Sequence, residues 1–210
     1  MTKTEKPVPV ESGLFLGIPV LFGLSGTTAL IFEIVWSRQF QLFLGSTIQT
    51  SSTVFAVFLG GYALGSYCTG RRSRGIEKRL LTAAKLEFGI GLYALCLSFF
   101  FRWFNTDIFV VLPDYIRPLF CILLLLPPAL FFGALWPLLY GHYILVKEQL
   151  GLKAGNLYAF NSIGSGLGAF SAGFILIPVL GLFKATIAAS CVNFLIGLIF
   201  IRLQLKNNVH

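Results

Sequence analysis

CILLLLPPALFFGALWPLLY, residues 121–140, is apolar around its whole circumference. A half-buried strand would alternate apolar and polar positions, and a helix on a soluble surface would keep one polar face. This stretch does neither. At about 1.5 Å per residue, a helix of this length covers the ~30 Å hydrocarbon core of a bilayer. Comparable runs recur on either side and predict helices at about 14–44, 48–70, 80–101, 117–145, 153–178 and 183–203. The predicted fold class is an all-α membrane protein of six transmembrane helices. A cytoplasmic N-terminal segment, 1–13, precedes the membrane domain, 14–203, and a cytoplasmic tail, 204–210, follows it.

Composition supports that class. Hydrophobic residues make up 56% of the 210-residue chain and charged residues 11%, and its mean hydropathy is +0.83, whereas soluble domains carry about 25% charged residues. A water-soluble enzyme core does not absorb that much apolar surface. The opening MTKTEKPVPVESG is polar, and the apolar run after it outlasts a signal-peptide core of about 7–15 residues without a cleavage-like site, so the first helix is expected to be retained. Cys68, Cys96, Cys121 and Cys191 form no C-x-x-C pair and are read as small packing residues. His142 and His210 are too few and too far apart for a metal site, so neither metal nor cofactor is expected.

The net charge of +8 is read as loop topology, not as a nucleic-acid surface. With a cytoplasmic N-terminus, Lys3, Lys6, Arg71, Arg72, Arg74, Lys78, Arg79, Lys85, Lys147, Lys153, Arg202 and Lys206 lie inside. Arg38, Arg102, Arg117 and Lys184 lie outside, completing the sixteen cations. This bias predicts a multi-pass protein of the plasma (inner) membrane with both termini cytoplasmic. The segment RRSRGIEKR, 71–79, is then a topogenic loop facing anionic headgroups.

The chain also resembles itself. Ala29, Leu30, Phe32 and Trp36 recur as Ala129, Leu130, Phe132 and Trp136; Ala56, Gly61, Leu64, Gly65 and Gly70 as Ala159, Gly164, Leu167, Gly168 and Gly173; and Ala83, Phe88, Ile90, Gly91 and Leu92 as Ala189, Phe194, Ile196, Gly197 and Leu198. The two units, about 14–101 and 117–203, each hold three helices. An odd number makes the second enter from the opposite face, which predicts two inverted-topology three-helix repeats. Gly61 and Gly65, like Gly164 and Gly168, are small residues four apart that let helix backbones approach. GSGLGA, 164–169, has no strand before it and is not read as a dinucleotide loop. Pro127–Pro128 is expected to break or kink helix four, with Pro137 a second interruption.

Glu33 and Glu87 are the acidic residues within the predicted spans, where an ionisable group is costly unless paired, hydrated or neutralised. Ser25, Ala29, Glu33 and Ser37 share one face of helix one, and Ala83, Glu87 and Gly91 one face of helix three, so both carboxyls are predicted to face protein. Two roles compete. In one, Glu33 pairs locally, for example with Arg38, and Glu87 bonds to a neighbouring helix; in the other, at least one of them belongs to a ligand site. Asn193 is the repeat counterpart of Glu87. Asn156 and Asn161 open helix five and either bond to other helices or line a cavity. Trp36 and Trp103 are read as interfacial aromatics, and Trp36 or Tyr158 would add a cation–π contact to a bound cation.

ALIFEIVWSRQFQLFLGSTIQTSSTVFAVFLGGYALGSYCTGRR (29–72), LEFGIGLYAL (86–95), LLPPALFFGALWPLL (125–139) and GNLYAFNSIGSGLGAFSAGFILIPVLGL (155–182), in this order, resemble the membrane domain fused to spermidine-synthase-like proteins. That resemblance implies a six-helix module similar to half of a major-facilitator transporter. It singles out Glu33, Trp36 and Arg38, and Asn156, Tyr158 and Asn161. GSYCTGRRSRG (65–75) resembles the basic major-facilitator loop but lacks its aspartate. Nothing in RLQLKNNVH (202–210) suits a nucleoside cofactor, so no aminopropyl transfer is expected. The first functional expectation is a non-catalytic module in the lipid bilayer that assembles with a separate, spermidine-synthase-like protein partner. The alternatives are a homo-oligomeric half-transporter for a small organic cation such as a polyamine, and an accessory subunit of a larger membrane complex.

Overall fold

A computed structural model describes residues 12–45, 48–103, 113, 116–143 and 150–207, and all regular structure among them is helical. The expectations for residues 1–11, for 144–145 at the end of helix four and for 208–210 lie outside the described residues. The elements are α1 (Ser12–Leu44), α2 (Ile48–Arg72), a 3₁₀ turn (Ser73–Gly75), α3 (Arg79–Trp103), α4 (Arg117–Tyr143), α5 (Leu150–Ser171), a π-helical turn (Ala172–Leu176) and α6 (Ile177–Asn207).

Helices five and six adjoin without a loop: among the described residues, Leu150–Lys206 is one apolar run of 57 residues, inside which the backbone leaves helical geometry at Gly181. Pro178 cannot donate to the carbonyl of Phe174, and the chain absorbs that loss in the π turn, where the Ile177 N–H reaches the Ala172 carbonyl. The run then bends at Gly181, whose φ of 76° and ψ of 169° lie in a region open to glycine. Of the break or kink expected at Pro127–Pro128, the break does not occur: α4 is continuous from Arg117 to Tyr143 with three prolines inside it. Pro128 leaves the Leu124 carbonyl without its helical donor, and the Tyr93 hydroxyl of α3 donates to that carbonyl at 2.7 Å. A neighbouring helix thereby supplies what the proline removes.

Among the described residues, Gly17–Leu42, Arg79–Trp103, Arg117–Tyr143 and Leu150–Lys206 are long and apolar enough to cross a membrane. Serines, threonines and glycines dilute α2, which is not among them. Only 22% of the most apolar window of the last run is buried inside the protein. Phe174, Val179 and Leu195 point outward instead, as lipid-facing side chains do. The chain is a multi-pass helical membrane protein.

α2 packs most extensively on α4, α1 on α5 and α3 on α6; α3–α4 and α1–α6 contacts come next. The contacting residues give relative directions. Gly23 and Thr27 meet Gly164 and Gly168, and Gly61 and Gly70 meet Ala129 and Pro137, so α1 runs parallel to α5 and α2 parallel to α4. Phe88 lies by Gly197 and Ser98 by Thr186, so α3 and α6 are antiparallel. The close approaches are backbone to backbone: a Cβ on Gly164 would sit 1.9 Å from the Gly23 carbonyl oxygen, and one on Gly65 2.1 Å from that of Leu130. Thr27 Oγ1 fastens the first of these pairs by donating to the Gly164 carbonyl at 3.0 Å.

Candidate functional site

Glu87 is fully buried in α3. The small neighbours Ala83 and Gly91 let helices close over it, and both of those residues are buried as well. The Ser25 hydroxyl of α1, itself buried, faces the carboxyl, yet neither carboxyl oxygen accepts a hydrogen bond in this conformation. Glu33, two turns further along α1 than Ser25, is half-buried. Both carboxyls lie within electrostatic reach of the Tyr62 hydroxyl of α2. Ser25 of α1 thus neighbours Glu87 of α3, while Tyr62 and half-buried Glu33 lie within longer electrostatic range.

Tyr62 also belongs to a circuit of aromatic rings packed on one another. Phe32 stacks on Trp36 at 5.2 Å, Trp36 meets Phe58 at 5.8 Å, Phe58 meets Tyr62 at 6.5 Å, Tyr62 stacks on Phe132 at 6.0 Å, and Phe132 returns to Phe32 at 6.4 Å. The circuit draws on α1, α2 and α4. Its rings offer negative faces, the electrostatic partner of a cation.

Trp36 packs inside the bundle. It is fully buried, and its indole N–H has no partner; α1 extends to Leu44, which leaves Trp36 two turns short of the helix end. Trp103 ends α3 and is exposed. Glu33 does not pair with Arg38, whose exposed guanidinium donates to Gln41 Oε1 at 3.2 Å.

The remaining expected residues are dispersed. Asn156 is exposed, and Tyr158 is exposed with its ring edge-on to Trp136 at 6.2 Å. Asn161 is half-buried and seats against Gly26 of α1, where a Cβ would lie 2.6 Å from its Oδ1. Asn193 is fully buried in α6 with neither amide atom bonded, as is the hydroxyl of Ser190 one turn away. Tyr62 gives no signal in the sequence, because its significance comes from helices distant along the chain. Among the described residues, no group of three His, Cys, Asp or Glu side chains is placed to hold a metal. The basic segment after α2 is structured at its end: Arg79 Nη1 donates to the Gly141 carbonyl near the end of α4. Compared with known proteins, the chain matches no protein-family model, no curated protein and no solved structure.

Proposed function

We propose that this chain is a non-catalytic six-pass module of the inner membrane, built from two inverted three-helix repeats, that works as a homo-oligomeric half-transporter for a small organic cation such as a polyamine. The observation behind this reading is a pair of carboxyls within the helices, buried Glu87 and half-buried Glu33, both within electrostatic range of Tyr62, a member of the aromatic circuit. Carboxyls supply charge to an ammonium group, and ring faces add roughly 0.5–2 kcal/mol per cation–π contact. Repeat symmetry supports it too. Exchanging α1, α2, α3 for α4, α5, α6 turns the α1–α5 contact into α4–α2, turns α3–α4 into α6–α1, and returns α3–α6 to itself. Uptake of radiolabelled spermidine into vesicles containing the purified chain tests the reading. Saturable flux that Glu33→Gln or Glu87→Gln abolishes, with assembly unchanged, is the expected result; flux no greater than that of empty vesicles overturns it.

A second reading, assembly with a separate spermidine-synthase-like or other protein, draws on the exposed small and polar residues Gly60, Ala63, Ser162 and Gly166 of α2 and α5. Such residues at a lipid face suit a packed partner helix better than acyl chains. Purification in mild detergent that yields only the free chain or its own oligomers counts against this reading.

A further inference from the structure

The outer side of α2 is hollow toward its C-terminal end. Ala63, Ser66, Tyr67, Gly70 and Arg71 line a cleft of about 680 Å³ there, within the roughly 300–1,000 Å³ typical of small-molecule sites. Their spacing of three and four residues places them along one side of the helix, away from Gly61 and Gly65, which are buried against α4. The hollow continues up the same side: Gly60 and Ala63 are exposed, a Cβ on Gly60 would meet nothing within 4 Å, and exposed Leu59 and Leu64 flank the trough. From Gly60 to Arg71 the helix rises about 16 Å, the depth of one leaflet in a ~30 Å hydrocarbon core.

The mouth of the cleft is cationic, and its cation is held in place. Arg71 Nη1 donates to the Tyr67 hydroxyl at 2.8 Å, and the guanidinium lies over the Tyr67 ring, 5.6 Å from its centroid. Both groups keep polar capacity: the guanidinium has further N–H donors, and the hydroxyl, acting as acceptor, retains its own proton to donate. Paired guanidinium donors match the oxygens of a phosphate. Exposed Arg72 and Lys78 add positive charge nearby. An apolar trough one leaflet deep that ends in a fixed guanidinium complements a phospholipid, with a chain for the trough and a phosphate for the cation. A water-soluble phosphate would leave the trough uncovered, and a zwitterionic lipid would bring a second cation toward Arg71.

We propose that this side of α2 binds one anionic phospholipid, its phosphate on Arg71 and Tyr67 and one acyl chain along Ala63 and Gly60. The site is separate from Glu33 and Glu87 and exists whether or not the module moves a solute. A partner helix packed on Gly60 and Ala63 would occupy the same trough, so lipid and partner exclude each other there.

Native mass spectrometry of the full chain, titrated with phosphatidylglycerol in mild detergent, tests the site. One phosphatidylglycerol should stay bound per chain in preference to phosphatidylcholine. Arg71→Gln should weaken that binding about fivefold or more, the effect of one basic residue near an anionic surface. Ala63→Leu, which fills the trough and leaves the charge unchanged, should weaken it as well. Arg72 does not line the cleft, so Arg72→Gln should weaken binding less than Arg71→Gln does. Equal losses in the two arginine variants, or no loss in Ala63→Leu, reduce the effect to diffuse surface charge and overturn the site. Displacement of the lipid by millimolar inorganic phosphate shows that the trough contributes nothing and overturns a lipid as the occupant. A dimer or a co-purified protein whose presence excludes the lipid assigns the trough to that partner and also overturns it. None of these signals requires flux, so failure of transport and failure of the lipid site are separately visible.

Discussion

Phe88 and Phe194 stack at 5.7 Å, and each ring lies over the glycine of the other's helix, Phe88 over Gly197 and Phe194 over Gly91. The contact is reciprocal, and a two-fold axis relating the two proposed repeats would map it onto itself. A Cβ on Gly91 would lie 2.7 Å from the Phe194 ring and one on Gly197 2.8 Å from the Phe88 ring. Gly91→Ala and Gly197→Ala should therefore destabilise by nearly equal amounts, about 1–2 kcal/mol once the helix-propensity gain is subtracted. Denaturant midpoints of the two variants in one detergent check this, and a difference well beyond ~1 kcal/mol, the scale of the propensity gain itself, speaks against the internal symmetry.

The α1–α5 pair makes a sharper contrast. Gly164→Ala drives a methyl group into the Gly23 backbone, which cannot swing aside, so α1 and α5 must separate. The cost should be about 3 kcal/mol or more. Gly166, two residues along, is exposed, and a Cβ added there would meet no atom within 4 Å, so Gly166→Ala should leave stability unchanged or raise it by up to ~1 kcal/mol. Recovery of monodisperse protein after mild heating distinguishes the two.

How far the sequence reaches is clear from particular residues. Glycines four apart announce helix contact, because a missing side chain at two such positions on one helix face leaves room for a neighbouring backbone, and the structure places Gly164 and Gly168 against α1. The small neighbours of Glu87 likewise foretell its burial. The burial of Trp36 is not legible from its place near the end of an apolar run, because it packs against Phe58, a residue of the next helix. Tyr62 is illegible in the sequence for a related reason, since its place depends on helices far apart in the chain, whereas the break at Gly181 falls between the spans expected at 153–178 and 183–203.

Tyr93 and Pro128 form a third test. The proline orphans the Leu124 carbonyl and Tyr93 repairs it, so Tyr93→Phe should cost about 1–3 kcal/mol by leaving a polar acceptor unsatisfied. Pro128→Ala returns the backbone N–H to that carbonyl. In the Pro128→Ala background, Tyr93→Phe should cost less than ~0.5 kcal/mol, because the helix then supplies its own donor. A double-mutant cycle measures the coupling, and additive effects would break the link between the two residues.

Topology separates two ways of threading the helices. If α1 to α6 all cross and the N-terminus is cytoplasmic, reporter fusions after residues 75, 108, 149 and 208 should read inside, outside, inside and inside. If only the four stretches that are long and apolar enough cross once each, with α2 on the surface and Leu150–Lys206 passing once, the same fusions read outside, inside, outside and inside. The packing favours the first pattern. α2 runs alongside α4 through the glycine contacts Gly61–Ala129 and Gly65–Leu130, and α5 and α6 pack in opposite senses against α1 and α3. A helix in backbone contact with a spanning neighbour along its length shares that neighbour's depth. The cation bias points the same way, because Arg71, Arg72, Lys78 and Arg79 then fall on the cytoplasmic side. The fusion after residue 75 is decisive: an inside signal makes α2 a span and completes three helices per repeat, whereas an outside signal removes the odd number on which the inverted duplication depends.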